Sequence, residues 1–338
     1  MSKRVALGLF SGGLDSILAC RVVADQGVRV IALKFVTPFF DSDLLADRDA
    51  YAQAMQEKYG LEVHLVDVST GYMRLLENPA HGFGKHFNPC IDCKILMLTR
   101  ARELMAAYGA SFLLTGEVLG QRPMSQRRDT LRVIERDSGC TDILLRPLCA
   151  KLMPPIRAEQ EGLVDRERLY AFSGRSRRQQ KLLAAQLGIT EYPTPAGGCM
   201  LTDINLAPRI KQYYNGLFSL SEQPRTVEDI KLLVIGRQFK LDEDVWFVVG
   251  RDERENSQIE AMRGPDDWLL WMTVRPGPLG LLRYARQKVA DSSSMAADSI
   301  STPSALTLNT PPLNVETSRT SSPTTGQGSG SSFGLSRN

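Results

Sequence analysis

At 338 residues, with 43% hydrophobic and 23% charged positions, the chain has the composition of a soluble globular protein with room for two or three domains. A formal net charge of +3 is too small to argue for a polyanion partner, so any basic surface must come from local clustering. No apolar run approaches the roughly 18–20 residues that span a bilayer, and "MSKR" leads straight into a strand-like segment, so a cytoplasmic protein without membrane partners is expected.

Short apolar, β-branched-rich runs at 4–10, 28–35, 61–68, 111–116 and 142–148 predict five strands. Helical patterns near 16–26, 43–59, 91–108 and 125–137 lie between them, and Gly27, Gly60, Gly109 and Gly139 stand where helices should stop. Alternation of buried strands with helices marks a parallel sheet covered on both faces, so residues 1–150 are expected to form a doubly wound α/β domain. Residues 151–220 read as a mainly helical extension. In "SRRQQKLLAAQLG" (176–188), Leu182, Leu183, Ala185 and Leu187 are assigned to one apolar side and Gly188 to the stop, and the turn-rich "TPAGGCMLTD" (194–203) follows. Residues 221–289 read as a small α+β unit: Thr226 and Asp229 suit a capping box, 245–250 a strand and 253–264 a helix. From 290 to 338 the chain is rich in Ser, Thr, Pro and Gly and is expected to be disordered, because it cannot bury enough apolar area to offset chain entropy.

The first strand runs into "LFSGGLDSIL" (9–18). Ser11, Gly12 and Gly13 then lie at the carboxyl edge of the sheet, where ligands bind in such folds. Two glycines let backbone N–H groups approach an anion, the next helix adds its N-terminal donors, and the serines add hydroxyls. The pattern lacks the lysine of the Gly-x-x-x-x-Gly-Lys loop and is not Gly-x-Gly-x-x-Gly either. A phosphate cradle is the reading. The string "SGGLDS" resembles the loop of the PP-loop ATP pyrophosphatases, which implies ATP split between its α and β phosphates. By that resemblance Ser11, Gly12, Gly13 and Ser16 hold the pyrophosphate, and Asp15 is a catalytic residue that helps hold Mg²⁺.

The six cysteines, at 20, 90, 93, 140, 149 and 199, read in a reducing compartment as thiols, ligands or catalysts. "NPCIDCK" (88–94) is a Cys-x-x-Cys pair opening a helix, and "AGGCML" (196–201) adds Cys199. A thiol at a helix start is expected to have a lowered pKa. Half a zinc site completed by His81 or His86, or a redox dithiol, are the alternatives. Cys20, Cys140 and Cys149 read as structural.

"NPCIDCK" is similar to the "NP-D-x-x-C-N-K" motif of the tRNA 2-thiouridylases, with Cys93 on their cysteine and Cys90 in place of their aspartate. "LLTGEVLGQRPMSQ" (113–126) resembles the 4-thiouridine synthetases, which assigns Gly116, Gln121 and Ser125 to the nucleotide pocket. One Cys-x-x-Cys pair with a distant third cysteine is also the pattern of PP-loop thiolases whose three cysteines hold a 4Fe–4S cluster. The resemblance covers about 4–205 and implies a tRNA sulfurtransferase. Cys93 and Cys199 would be catalytic, with sulfur on a cluster held by Cys90, Cys93 and Cys199 as the preferred reading, because all three thiols match that pattern, and a persulfide as the alternative. The partners implied are tRNA and a sulfur donor, either a persulfide carrier or sulfide; a homodimer is left open. "GRQFKLDEDVWFVVGRDERENSQI" (236–259) resembles the RNA-binding domain of the NFACT proteins, and the basic runs 121–132 and 175–181 become candidate phosphate contacts. Two rival readings are a PP-loop ligase acting on a small metabolite and an RNA-binding protein with a relic loop.

Overall fold

The computed structural model describes residues 4–193, 199–216, 225–241 and 245–284. The expected tail, 290–338, and the "AGG" of the third cysteine motif lie outside the described residues, as does the start of the third segment near Ser221. Five parallel strands, β1 (Val5–Leu9), β2 (Arg29–Val36), β3 (Glu62–Asp67), β4 (Phe112–Thr115) and β5 (Leu144–Leu145), form a sheet in the order β3-β2-β1-β4-β5. The chain therefore reverses its winding between β1 and β4, and a crevice opens there at the carboxyl edge. The doubly wound α/β reading holds.

Strand periodicity sorts the side chains to two faces. Leu7, Leu9, Ile31, Leu33 and Leu113 pack against α4 (Cys90–Tyr108) and α5 (Arg128–Asp137) through Leu98, Ala101 and Ile134. Ala6, Phe10, Val30, Ala32 and Leu114 pack on the other face against α1 (Leu14–Ala24), joined by Tyr59 of α2 (Arg48–Tyr59). Each fully buried Leu or Ile contributes roughly 1.5–3 kcal/mol. The four expected glycine stops all adopt positive φ. A short helix absent from the sequence reading, α3 (Ser69–Leu75), follows β3.

The extension 151–220 is less helical than expected. Among its described residues it holds a one-turn α6 (Arg157–Gln160), α7 (Arg178–Gln186) and α8 (Leu206–Tyr214), linked by loops and 3₁₀ turns. In α7 the buried side is Gln180, Leu183 and Ala184, and Leu182 is 57% exposed. The sequence reading had placed Leu182 inside. It lies about 100° around the helix from Leu183, and the i, i+3, i+4 stripe through Gln180 excludes it.

The third segment is α+β as expected. Antiparallel strands β6 (Arg237–Leu241), β7 (Val245–Val249), β8 (Trp268–Leu270) and β9 (Gly280–Arg283) pair in the order β6-β7-β9-β8, with α9 (Val227–Leu233) and α10 (Glu253–Ala261). Trp246, Val248, Ile230, Ile259 and Leu281 share one core with Phe39, Tyr72, Leu76 and Phe87 of the first domain. The "GRDEREN" run builds the start of α10: Asp252 Oδ1 accepts from Glu255 N at 2.9 Å, Arg251 pairs with Glu255, and Asn256 Oδ1 accepts from Leu279 N at 3.0 Å. Its conspicuous residues thus serve the fold.

A buried ion cluster closes this unit. Arg283 Nε donates to Asp229 Oδ1 at 2.9 Å and its guanidinium to Asp267 Oδ2 at 2.7 Å, and Tyr213 Oη donates to Asp229 Oδ2 at 2.9 Å. Asp229 also completes the expected capping box with Thr226. Removing one partner strands the others in the core, so Arg283→Met is expected to cost about 3–5 kcal/mol in urea denaturation at neutral pH. A loss under about 1 kcal/mol would contradict a coupled cluster.

Candidate functional site

β1 ends at Leu9, and Phe10–Gly13 turn the chain into α1. Gly12 has φ +80°, a region that L side chains rarely adopt. Ser16 Oγ donates to the Gly13 carbonyl at 2.8 Å, and Gly13 N donates to Ser11 Oγ at 3.3 Å. Gly13, at the N-cap, offers no side-chain cap; Ser16 N and Ile17 N turn back to its carbonyl at 3.0 and 3.1 Å, and the start of α1 ahead of them is a candidate anion site. Lys34, 3% exposed at the end of β2, braces the loop by donating to the Ser11 carbonyl at 2.9 Å and pairing with Asp41. A Cβ on Gly12 would sit 4.0 Å from its Nζ. A cation therefore does stand beside this loop, although no lysine occurs within the loop sequence.

The end of β4 meets the start of α1. A Cβ on Gly116 would fall 2.4 Å from the Asp15 carbonyl oxygen and 2.6 Å from Ser16 N. Gly116 is thus required for contact between the two elements. The following turn sends Gln121 Nε2 to Asp15 Oδ2 at 2.6 Å. Gln180 of α7 donates to Gln121 Oε1 at 2.8 Å, and Arg177 approaches Asp15 at 3.6 Å. Asp15 Oδ1 is buried and has no hydrogen-bond partner among the described residues. One free carboxylate oxygen beside an anion cradle suits a hard cation such as Mg²⁺. Ser125 is buried in the same turn, which Gly120 N closes on the Gln126 carbonyl at 2.8 Å.

Glu117, next along the chain, is 2% exposed and bound by Arg146 at 3.1 Å and Lys94 at 3.3 Å. Burial opposes its charge, but Lys94 and then Arg146 hold the carboxyl down at about 2. The pair ties the switch point to the helix of the cysteines.

Cys90 and Cys93 open α4, and Asn88 Nδ2 donates to Cys90 Sγ at 3.1 Å. Cys199 comes back to the carboxyl edge, where Met200 N donates to the Phe39 carbonyl at 3.2 Å. All three thiols lie near enough to Tyr72 to act electrostatically on its hydroxyl. Cys93 senses both Cys199 and Cys90, and the Tyr72 hydroxyl faces Cys93 and Cys199 as a hydrogen-bond partner. Burial pushes Cys93 up to about 12, against the Tyr72 hydrogen bond, and burial pushes Cys199 up to about 11. The expected lowering by the helix start is thereby overturned at Cys93, because desolvation of a thiolate outweighs a helix dipole.

Among the described residues, no three His, Cys, Asp or Glu side chains are gathered closely enough to hold a metal ion. The trio converges, but as placed it does not form a ready ligand set. His81 is not its fourth member: Nδ1 lies 3.0 Å from Asp92 and Nε2 lies 3.1 Å from Asp137. Cys20, Cys140 and Cys149 are buried, as their structural reading required. Lys34 and Tyr72 were not foreseen as site residues and carry no motif. Glu117 had a signal in its place in the "TGE" string, and Arg177 and Gln180 lie in the basic run 175–181, read as candidate phosphate contacts and not as partners of Asp15 and Gln121.

The family model for the thiamine biosynthesis protein (ThiI) matches residues 1–152. A probable tRNA sulfurtransferase of Thermococcus kodakarensis is 26% identical over 159 residues, 47% of this chain and 39% of that protein. The corresponding protein of Ureaplasma urealyticum is 31% identical over 147 residues, 42% of this chain and 36% of that one. The tRNA-specific 2-thiouridylase MnmA 3 of Phocaeicola vulgatus is 30% identical over 110 residues, 29% of this chain and 28% of that one. The chain thus spans 28–39% of the length of these curated relatives. Among solved structures, a 4-thiouridine synthetase–RNA complex with bound ATP aligns at TM-score 0.35 and 21% identity, over 55% of this chain and 52% of that one. No helix among the described residues is long and apolar enough to cross a membrane.

The raised thiol pKa values have a direct readout. At pH 8 a thiol with a pKa near 12 carries roughly a thousandth of the thiolate of one near 9. In chelator-treated folded protein, iodoacetamide should alkylate Cys93 and Cys199 at least about a hundredfold more slowly than in urea. The rate should keep rising beyond about pH 10. A plateau near about pH 8 would contradict the buried, protonated state.

Proposed function

We propose that the protein is an ATP-dependent tRNA sulfurtransferase whose first domain, similar to the ThiI family model and to curated tRNA sulfurtransferases, is of the PP-loop tRNA-thiolating kind. One arrangement supports this above all: an uncapped helix start beside Asp15 and a cysteine trio share one sheet edge.

ATP docks with its β and γ phosphates on the Ser11–Ser16 loop. Its donors are backbone and hydroxyl groups, and they grip the departing pyrophosphate. Mg²⁺, bound through the free Asp15 Oδ1, would neutralise charge on the phosphates. Gln121, Gln180 and Arg177 fix the Asp15 carboxylate. A uracil carbonyl oxygen attacks the α-phosphate, pyrophosphate leaves, and the base becomes an O-adenylate. The uridine must be splayed from its stack to reach the edge.

Sulfur is assigned to Cys93 and Cys199, the pair that shares Tyr72. One carries a persulfide, its outer sulfur taken from the persulfide of a donor protein, whose own thiol is released. Its terminal sulfur attacks the activated carbon, AMP leaves, and a carbon–sulfur bond forms with the base still tethered by a disulfide. The second thiol breaks that disulfide, releases thiouridine and leaves a Cys–Cys disulfide, which an external thiol reduces. A 4Fe–4S cluster on Cys90, Cys93 and Cys199 is the alternative carrier. It would need the thiols to rearrange about Tyr72, and anaerobically purified brown protein with about four irons would favour it. The setting is cytoplasmic, beside tRNA and the sulfur donor.

With ATP, Mg²⁺, a sulfur source and unmodified tRNA, the products should be AMP and pyrophosphate, and Asp15→Ala should lower their formation at least about a hundredfold without altering circular dichroism. ADP and phosphate would contradict the assignment. Repeated AMP and pyrophosphate release without tRNA, unchanged by serine at Cys93 and Cys199, would favour a ligase on a small metabolite.

A further inference from the structure

The two basic runs are 43 residues apart between Arg132 and Arg175, yet the fold lays them together at the mouth of the loop. Gly174 N donates to the Leu119 carbonyl at 2.8 Å, and Ser173 bridges Leu119 as in a parallel ladder. A Cβ on Gly120 would be 3.6 Å from Gly174 N. The buried Gln180–Gln121 bond pins the next turn of each run. Asp15 lies at this seam, held by Gln121 from one run and Arg177 from the other.

The charges on the rim are unbalanced. Arg122, Arg175, Arg178 and Lys181 are exposed, and none forms an ion pair among the described residues. Of the acids here, Asp129 is matched by Arg127 at 2.9 Å and Asp15 faces Arg177 at 3.6 Å. Arg178 and Lys181 stand one turn apart on the open side of α7, with Arg175 just before that helix. Exposed Met124 (49%) and Leu182 (57%) sit among the cations. The net +3 of the chain conceals this patch, because acidic residues collect elsewhere, as in Asp242, Glu243 and Asp244.

We infer that Arg122, Arg175, Arg178 and Lys181 form a phosphate-docking rim that lays an RNA backbone across the mouth of the loop and delivers a nucleotide to Asp15. Unpaired, solvent-facing cations match a regularly charged polyanion and need no desolvated partner. Met124 and Leu182 offer apolar ground to sugar and base faces beside those phosphates. The position at the seam makes the rim the approach to the crevice for any large substrate. The inference rests on the thiolation reading for its choice of RNA, whereas the rim residues are independent of the cysteines and of the loop.

The test measures binding of an unmodified tRNA transcript to the full-length protein by fluorescence anisotropy across a salt series. Wild type is compared with R122Q/R175Q/R178Q/K181Q and with the charge-keeping R122K/R175K/R178K. Four lost phosphate contacts should reduce the slope of log affinity against log salt by about 3–4 and weaken binding at least about tenfold at moderate salt. The lysine variant should stay near wild type, and ATP binding by equilibrium dialysis should be unchanged in both, showing that the fold is intact. Wild-type binding with an unaltered slope in the glutamine variant would overturn the rim and leave the thiolation reading standing. A wild type that binds no tRNA at all would sink both.

Discussion

No side chain fits between the end of β4 and the first turn of α1. Gly116 lies so close to the Asp15 carbonyl that even a methyl group would displace the helix start. That contact sits where the sheet reverses its winding, and it sets how wide the crevice opens. Gln121 follows five residues later and reaches Asp15; Gln180 and Arg177 then come in from α7. The Asp15 carboxylate, the Ser11–Ser16 turn and the proposed RNA rim all depend on this single approach of backbone to backbone.

The sulfur side of the site is governed by a different constraint, desolvation. Three thiols face one phenol hydroxyl beside an apolar core that the two units share. The folded protein therefore keeps Cys93 protonated until a cation, a hydrogen-bond donor or a bound sulfur changes the balance. A resting enzyme with quiet thiols avoids stray oxidation, which follows thiolate character. Glu117 links this side to the crevice through its ion pair with Lys94.

Local signals in the sequence were legible, and relations between distant residues were not. Glycine stops, the strand–helix alternation, the Ser11–Ser16 turn and the Thr226–Asp229 capping box each depend on a few neighbouring residues, and all appear in the fold. The Cys-x-x-Cys pair at a helix start was legible too. Its acidity was not, because burial of Cys93 is a tertiary quantity. Tyr72 and Lys34 join the site from elements with no motif of their own, and α3 is short enough to leave little periodic trace. Leu182 was misplaced because a run of adjacent leucines does not say which of them faces inward until Gln180 is seen to be buried.

The central claim is that one sheet edge spends ATP and delivers sulfur to the same uridine. Nucleoside mass spectrometry of a tRNA pool incubated with purified protein, ATP and a sulfur source tests it most directly. The account predicts a uridine species heavier by the oxygen-to-sulfur exchange, present only with ATP and lost when either Cys93 or Cys199 is serine. A pool without thiouridine, from protein that still turns ATP into AMP and pyrophosphate, would contradict it.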